Sequence, residues 1–224
     1  MKKQFLLIAG LAAAGFASAQ DKSDKVSFGI RAGVTSATIK GDASQSLNGL
    51  VDYSDGIFTT TGRTGFYAGG SVNIPVGGGF SIEPGINYDQ KGYALKGSYG
   101  LKDAEFLSVN GKARLNLNYI SMPVLVKGNF GGLQVFAGPQ VSYLANADLH
   151  ATAGAMGFNV FNKHYDVGDQ FNKIDMGLTG GVGYQFANGF NINAAYDHGL
   201  TKIDADRSLD AYNRAFKVGV GFRF

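Results

Sequence analysis

Phe216-Lys217-Val218-Gly219-Val220-Gly221-Phe222-Arg223-Phe224 alternates without a break, with Phe, Val, Val, Phe and Phe on one face and Lys, Gly, Gly and Arg on the other. One face suits lipid and the other is small or charged, which is the period of a strand in an outer-membrane barrel. Seven further segments upstream carry the same pattern: 26–34, 66–74, 80–89, 120–127, 133–143, 174–186 and 190–197. In the fourth of them Leu115, Leu117 and Tyr119 run out of phase with Ile120, Met122, Val124 and Val126, which predicts a bulge near Tyr119.

The connections between these segments sort into two kinds. Val76–Gly79, Asn129–Gly132 and Ala187–Gly189 are short and glycine-rich, as hairpin turns require. Ser36–Arg63, Gln90–Arg114, Ala145–Lys173 and Gly199–Asn213 are much longer, and the two kinds alternate along the chain. A soluble sandwich has no reason to sort its loops this way, whereas outer-membrane barrels have short periplasmic turns and long outer loops. The expectation is therefore an all-β chain, an eight-stranded antiparallel up-and-down transmembrane β-barrel with both termini on the periplasmic side. Deleting Ser36–Arg63 or Ala145–Lys173 should leave folding largely intact, because loop closure costs little. Asn110-Gly111 is a hairpin signal inside the second loop. Residues 99–109 lack a lipid face, so they read as a β extension above the membrane.

Two features refine the expectation. Phe80, Phe130, Phe190, Phe222 and Phe224 fall at periplasmic strand ends and Tyr88, Tyr119, Tyr143 and Tyr196 at outer ends, as interfacial aromatic belts would have them. Pro84, Pro123 and Pro139 lie inside strands, so each should coincide with a bulge or a missing ladder bond.

Composition narrows the alternatives. The first 19 residues, with Lys2, Lys3 and an apolar run from Phe5 to Phe16, read as a cleavable signal peptide, leaving 20–224 as a single barrel domain. Removing Lys2 and Lys3 from 20 basic residues leaves 18 against 17 acidic ones, a net charge of +1 that offers nothing to a nucleic acid. With no cysteine, disulfide modules, thiol enzymes and Cys-ligated metal sites are excluded.

On this pattern, particular strings resemble the PorT-like outer-membrane β-barrel family: GINYDQKGY (85–93), YISMPVLVKGNF (119–130), FAGPQVSYL (136–144), AAYDHGLTKID (194–204) and NRAFKVGVGFRF (213–224). The resemblance implies a small barrel of the OmpA/OmpX type in the outer membrane of a Gram-negative bacterium. The family's founding member belongs to a protein-secretion apparatus, but the resemblance implies the barrel and not that task. Phe222 and Phe224, closing the last strand, look like the terminal signal read by the barrel-assembly machinery.

Eight strands enclose a lumen just wide enough to be filled by side chains. Its expected charges are Arg31, Lys127, Lys217 and Arg223 against Glu83, Asp89, Asp175 and Asp197, which reads either as an ion path or as a network of buried pairs. Strand direction puts Glu83 beside Lys127 and Asp197 beside Lys217. No nucleophile accompanies His150, His164 or His198. Adjacent Asp197 and His198 point to opposite faces of a strand, and His164 and Asp166 share a parity within a loop. Asp204, Asp206 and Asp210 loosely suggest a calcium loop but lack its Gly and Glu. GGVG (180–183) has no helix after it and reads as small lumen residues rather than a nucleotide fingerprint. The leading expectation is a non-catalytic barrel without cofactor, contacting lipid, the assembly machinery and a protein partner at its loops. The alternative is an outer-membrane rim enzyme acting on lipid or protein at the cell surface.

Overall fold

The computed structural model describes residues 25–41, 58–101, 104–155, 158–206 and 210–224, so the expected signal peptide and residues 42–57 of the expected first loop lie outside it. Nine strands form among the described residues: β1 (Ser27–Lys40), β2 (Phe58–Gly77), β3 (Phe80–Leu101), β4 (Ala104–Phe130), β5 (Leu133–Ala155), β6 (Phe158–Asp166), β7 (Ile174–Gln185), β8 (Phe190–Gly199) and β9 (Tyr212–Arg223). Eight of them close a ring, β1-β2-β3-β4-β5-β7-β8-β9, in which every neighbour is antiparallel. The seam is β1 with β9, registered from Gly29 opposite Arg223 to Lys40 opposite Tyr212. Closure leaves the ring without an edge, the only β arrangement that satisfies its backbone in lipid.

Alternation sorts the side chains as the sequence implied. On the outside Phe28, Ile30, Val126, Val182 and Phe216 are more than half exposed. On the inside Thr35, Asp89, Ser121 and Ser142 are almost fully buried. Turns at one end are tight. In the β4–β5 hairpin Phe130 is registered opposite Leu133, and the two intervening residues, Gly131 and Gly132, have φ of 62° and 96°. Positive φ at both central positions matches the right-handed twist of the strands and admits glycine at no steric cost.

At the opposite end the strands overshoot the membrane. β3, β4 and β5 run 22, 27 and 23 residues, against 10 for β8 and 12 for β9. About 9–11 residues suffice to cross, so β2 to β5 continue as a sheet beyond the barrel rim. The expected loop 90–114 is this sheet: Lys91 opposite Leu117 leads on to Leu101 opposite Ala104. Asn110 and Gly111 sit in strand register opposite Ser98 and Gly97, so the hairpin signal there marks no turn. The reading of 145–173 as a loop is corrected too. β5 continues to Ala155 and β6 folds back on it, with Asp148 opposite Asp166 and His150 opposite His164. β6 lies off the ring and pairs with β5 alone among the described residues.

The expected bulge belongs to the partner strand. In β4 the buried set Leu117, Tyr119, Ser121, Pro123, Leu125 and Lys127 runs in one unbroken phase. Tyr119 faces Leu144 and Asn118 faces Asn146, which leaves Ala145 of β5 as the extra residue. The apparent change of phase arises because the lumen lining turns from polar to apolar at that height. Tyr119 is accordingly 1% exposed inside the barrel and not part of the outer belt.

Pro84, Pro123 and Pro139 each interrupt a ladder on the side of the preceding strand. Pairing skips from Ser71–Gly85 to Ile74–Ile82 at Pro84, from Pro84–Val124 to Asn87–Ser121 at Pro123, and from Pro123–Gln140 to Val126–Ala137 at Pro139. Register is kept across all three gaps, so the missing N–H of proline costs local bonds and not alignment.

Candidate functional site

The place where chemistry-bearing residues converge is the lumen. Inward alternation from six strands puts nine charged groups there. Near the turn end, the Glu83 carboxylate lies 2.5 Å from Lys127 Nζ, 3.5 Å from Arg31 Nη1 and 3.7 Å from Arg223 Nη2. Arg31 is held further by its Nε, which donates to Asn87 Oδ1 at 3.0 Å. Higher in the barrel, Lys217 Nζ lies 2.8 Å from both Asp89 and Asp197. Asp197 also accepts from Thr179 Oγ1 at 2.8 Å. Asp175 stands above them, bonded by Asn213 Nδ2 at 2.8 Å, and the same amide reaches the Tyr119 hydroxyl at 3.1 Å.

Lys91 is the member that pattern reading misses. It is 2% exposed and its Nζ lies 3.5 Å from Asp197. Its parity with Glu83, Asn87 and Asp89 is the signal that could have found it, but lipid-facing alternation fades at Gln90 while the strand continues. With Lys91 the lumen holds five cations against four carboxylates.

Each buried lysine also lies over an aromatic ring: Lys91 over Tyr119 at 5.4 Å, Lys127 over Phe136 at 5.6 Å and Lys217 over Tyr67 at 5.4 Å. Cation–π attraction strengthens where water is excluded, and the rings occupy the space a channel would need. Tyr67 crosses the bore to donate its hydroxyl to Asn193 Oδ1 at 2.9 Å. It fits because glycine faces it. A Cβ on Gly219 would come within 2.2 Å of the Tyr67 hydroxyl, and one on Gly33 within 2.8 Å of its ring. Gly181 of the GGVG stretch makes the same room for Phe136, whose ring tip would be 2.8 Å from an added Cβ.

Two cavities of about 30 Å³ remain among these groups, both touching Arg31, Leu125, Phe136 and Asn193. Each has room for roughly one water. Above the charges Leu117, Tyr119, Leu144 and Ala147 form a buried apolar cluster, against which Leu115, Val167 and Phe171 pack. The segments 167–173 and 200–206 fold together over this plug. Asn172 N donates to Ile203 O at 2.7 Å, and Ala205 N to Gln170 O at 3.0 Å. Ala147, Val167 and Phe171 therefore belong to the closure of the barrel, which corrects the expectation that all of 145–173 is dispensable.

The histidines do not assemble into catalytic machinery. Asp197 is buried and His198 is exposed on the opposite face. His150 and His164 stack at 3.9 Å on the extended sheet, and His150 Nε2 meets Asn162 Oδ1 at 2.8 Å. Among the described residues no three His, Cys, Asp or Glu side chains converge as metal ligands. Asp210 pairs with Lys202 at 2.5 Å, Asp204 forms a backbone bridge with Phe171, and Asp206 is exposed. The hydrogen bond that Lys202 donates to the Asp210 carboxylate holds its ammonium above the ordinary lysine range.

Phe222 and Phe224 sit outside, their rings 5.2 Å apart edge to face. They join Phe80 with Phe130 at 6.2 Å and Phe186 with Phe190 at 5.8 Å around the turn end. Rings at that level match a bilayer interface.

Residues 18–205 match the family model described as outer membrane protein beta-barrel domain. Among solved structures, the chain is similar to neisserial surface protein A, with 13% identity over 90% of this chain and all of that one at a TM-score of 0.46. It is similar in the same way to Ail, the attachment invasion locus protein of Yersinia pestis, with 13% identity, the same coverages and a TM-score of 0.46. The outer membrane protease OmpT from Escherichia coli shares 11% identity over 93% of this chain and all of that one, at a TM-score of 0.39. No curated protein matches. The family match spans most of the closed ring and its lipid-facing exterior, and on it the chain belongs to the outer membrane protein beta-barrel domain family, an integral protein of the outer membrane of a Gram-negative bacterium.

Proposed function

We propose that this protein is a non-catalytic surface barrel whose lumen is a closed structural core and whose work is done by the sheet that β2 to β6 raise above the membrane. The observation that carries the reading is β6. It bonds to β5 on one side, and residues 161–166 are all exposed, including Phe161 and Tyr165 at 40% and 46%. An edge strand offers a row of backbone donors and acceptors to an added strand. The partner class this fits is an extended protein segment at the cell surface, an envelope or secretion component included. The PorT-like strings support membership of that subgroup within the family. Phe222 and Phe224 remain the proposed signal for the assembly machinery.

The test is site-specific photocrosslinking in living cells from Lys163 on β6, with Val126 on the lipid face as the control position. A discrete protein adduct from Lys163 alone is expected. Loss of a hydrolytic activity on replacing His164 or His198, with no adduct from β6, would favour the rim enzyme instead.

A further inference from the structure

The lumen charge is unevenly divided. Of its five cations, Arg31, Lys127 and Arg223 gather at the turn end around one carboxylate, Glu83. Lys91 and Lys217 stand higher, among Asp89, Asp175 and Asp197. The upper group is net −1 and the lower group net +2. Positive charge gathered where water is largely excluded is disfavoured, and with Lys127 buried and Arg31 and Arg223 mostly so, the lower group favours negative charge beyond Glu83.

A cavity of about 30 Å³ lies at that place, lined by Arg31, Lys127, Gln134, Asn191 and Arg223, with Glu83 its one acidic lining residue. Two buried donors among its lining have no hydrogen-bond partner: Arg31 Nη2 and the amide Nε2 of Gln134, a residue 4% exposed. Buried donors of this kind are costly to leave unmade. Charge, unmade donors and space coincide on one side of Glu83.

We propose that this cavity is a binding site for one small anion of the halide class, held by Arg31, Lys127, Gln134 and Arg223. Size and donor chemistry select the class, because a space of about 30 Å³ lined by guanidinium, ammonium and amide donors suits one compact ion and not an extended carboxylate such as gluconate. Access is from the turn end, where the Arg31 and Arg223 side chains keep 17% and 22% exposure. The bound ion brings the lower group to +1 and the lumen as a whole to neutrality. It makes the site a counter-ion position built into the barrel wall, separate from any partner bound at β6.

The test follows thermal unfolding of the purified full barrel in detergent, in sodium chloride or sodium gluconate at equal ionic strength. Gluconate is too large to enter. Chloride should raise the midpoint by a few degrees along a saturating curve, since a ligand bound only by the folded state stabilises it by mass action. Bromide should do the same and give an anomalous peak between Arg31 and Gln134 in a crystal. Gln134→Leu keeps every charge and should abolish the saturating difference. If that variant does not fold, the bromide peak in the wild-type protein decides. Equal midpoints in both salts, a difference that persists in Gln134→Leu, or bromide found elsewhere alone would each overturn the proposal.

Discussion

Lys127 Nζ lies 2.5 Å from Glu83 Oε2 inside a barrel where each of the two residues is less than 10% exposed. Their strands are neighbours and their positions nearly opposite, since Glu83 registers with Leu125 and Ser81 with Lys127. Removing either partner leaves the other charge buried. Glu83→Gln or Lys127→Met should each destabilise the barrel by about 3–5 kcal/mol, while the double variant loses less than the sum. Urea unfolding in lipid or detergent measures the cycle, and additive losses would show that the two side chains act independently.

Lys217 differs from Lys127 because two carboxylates depend on it. Asp89 and Asp197 each lie 2.8 Å from its ammonium, and Lys91 at 3.5 Å is the other cation beside Asp197. Lys217→Met should therefore be more damaging than Lys91→Met in the same unfolding assay. The reverse order would place the charge balance of the upper lumen on Lys91.

Glycine is required where Tyr67 crosses. Gly219→Val puts a Cβ against the Tyr67 hydroxyl and within 2.5 Å of the Ala32 carbonyl. Overpacking of this kind costs about 1–3 kcal/mol. The expected readout is a smaller fraction of the heat-modifiable folded form on gels, and an unchanged fraction would mean the bore is wider than the rings suggest.

The extended hairpin can be shortened, within limits that the plug sets. Replacing residues 151–164 with a short turn spares Ala147, Val167 and Phe171, so the barrel should still fold while the Lys163 adduct is lost. Replacing 145–173 removes part of the apolar cluster and should lower stability. Equal stability of the two variants would detach the plug from the barrel's energetics.

Phe224 separates assembly from stability. Its backbone N–H donates to Phe28 O at 2.8 Å and survives any substitution, while its ring is 70% exposed. Phe224→Ala should refold from urea nearly as well as the parent but accumulate unassembled in cells. Equal losses in both settings would make the ring a matter of packing.

What the sequence makes legible follows from lipid. Where one face meets hydrocarbon, alternation is strict, and the spans and short turns are readable from Val26 to Phe224. Beyond Gln90 and Ala145 the outer face of the strands meets water instead of lipid, while the inner face still buries Lys91, Leu117 and Ala147. Nothing then forces apolar residues onto the outer face, so, apart from the β extension at 99–109, these parts of β3, β4 and β5 look like loops although their ladders continue. Lys91 was lost with them. Tyr119 was misplaced because tyrosine suits either an interface or a plugged bore, and only the pairing with Leu144 tells which. The Glu83–Lys127 contact was accessible because both lie deep in well-patterned strands, whereas the cluster of Val167 and Phe171 on Leu117 depends on loop geometry that no period encodes.

The central claim is that the lumen is closed by Tyr67, Phe136 and the Leu117–Tyr119–Leu144 cluster, and that function lies outside it. Single-channel recording of the purified protein in a planar bilayer tests this most directly. The intact barrel should leave the membrane silent at moderate voltage. Reproducible unitary current steps from that protein would contradict it and return the charged lumen to the role of an ion path.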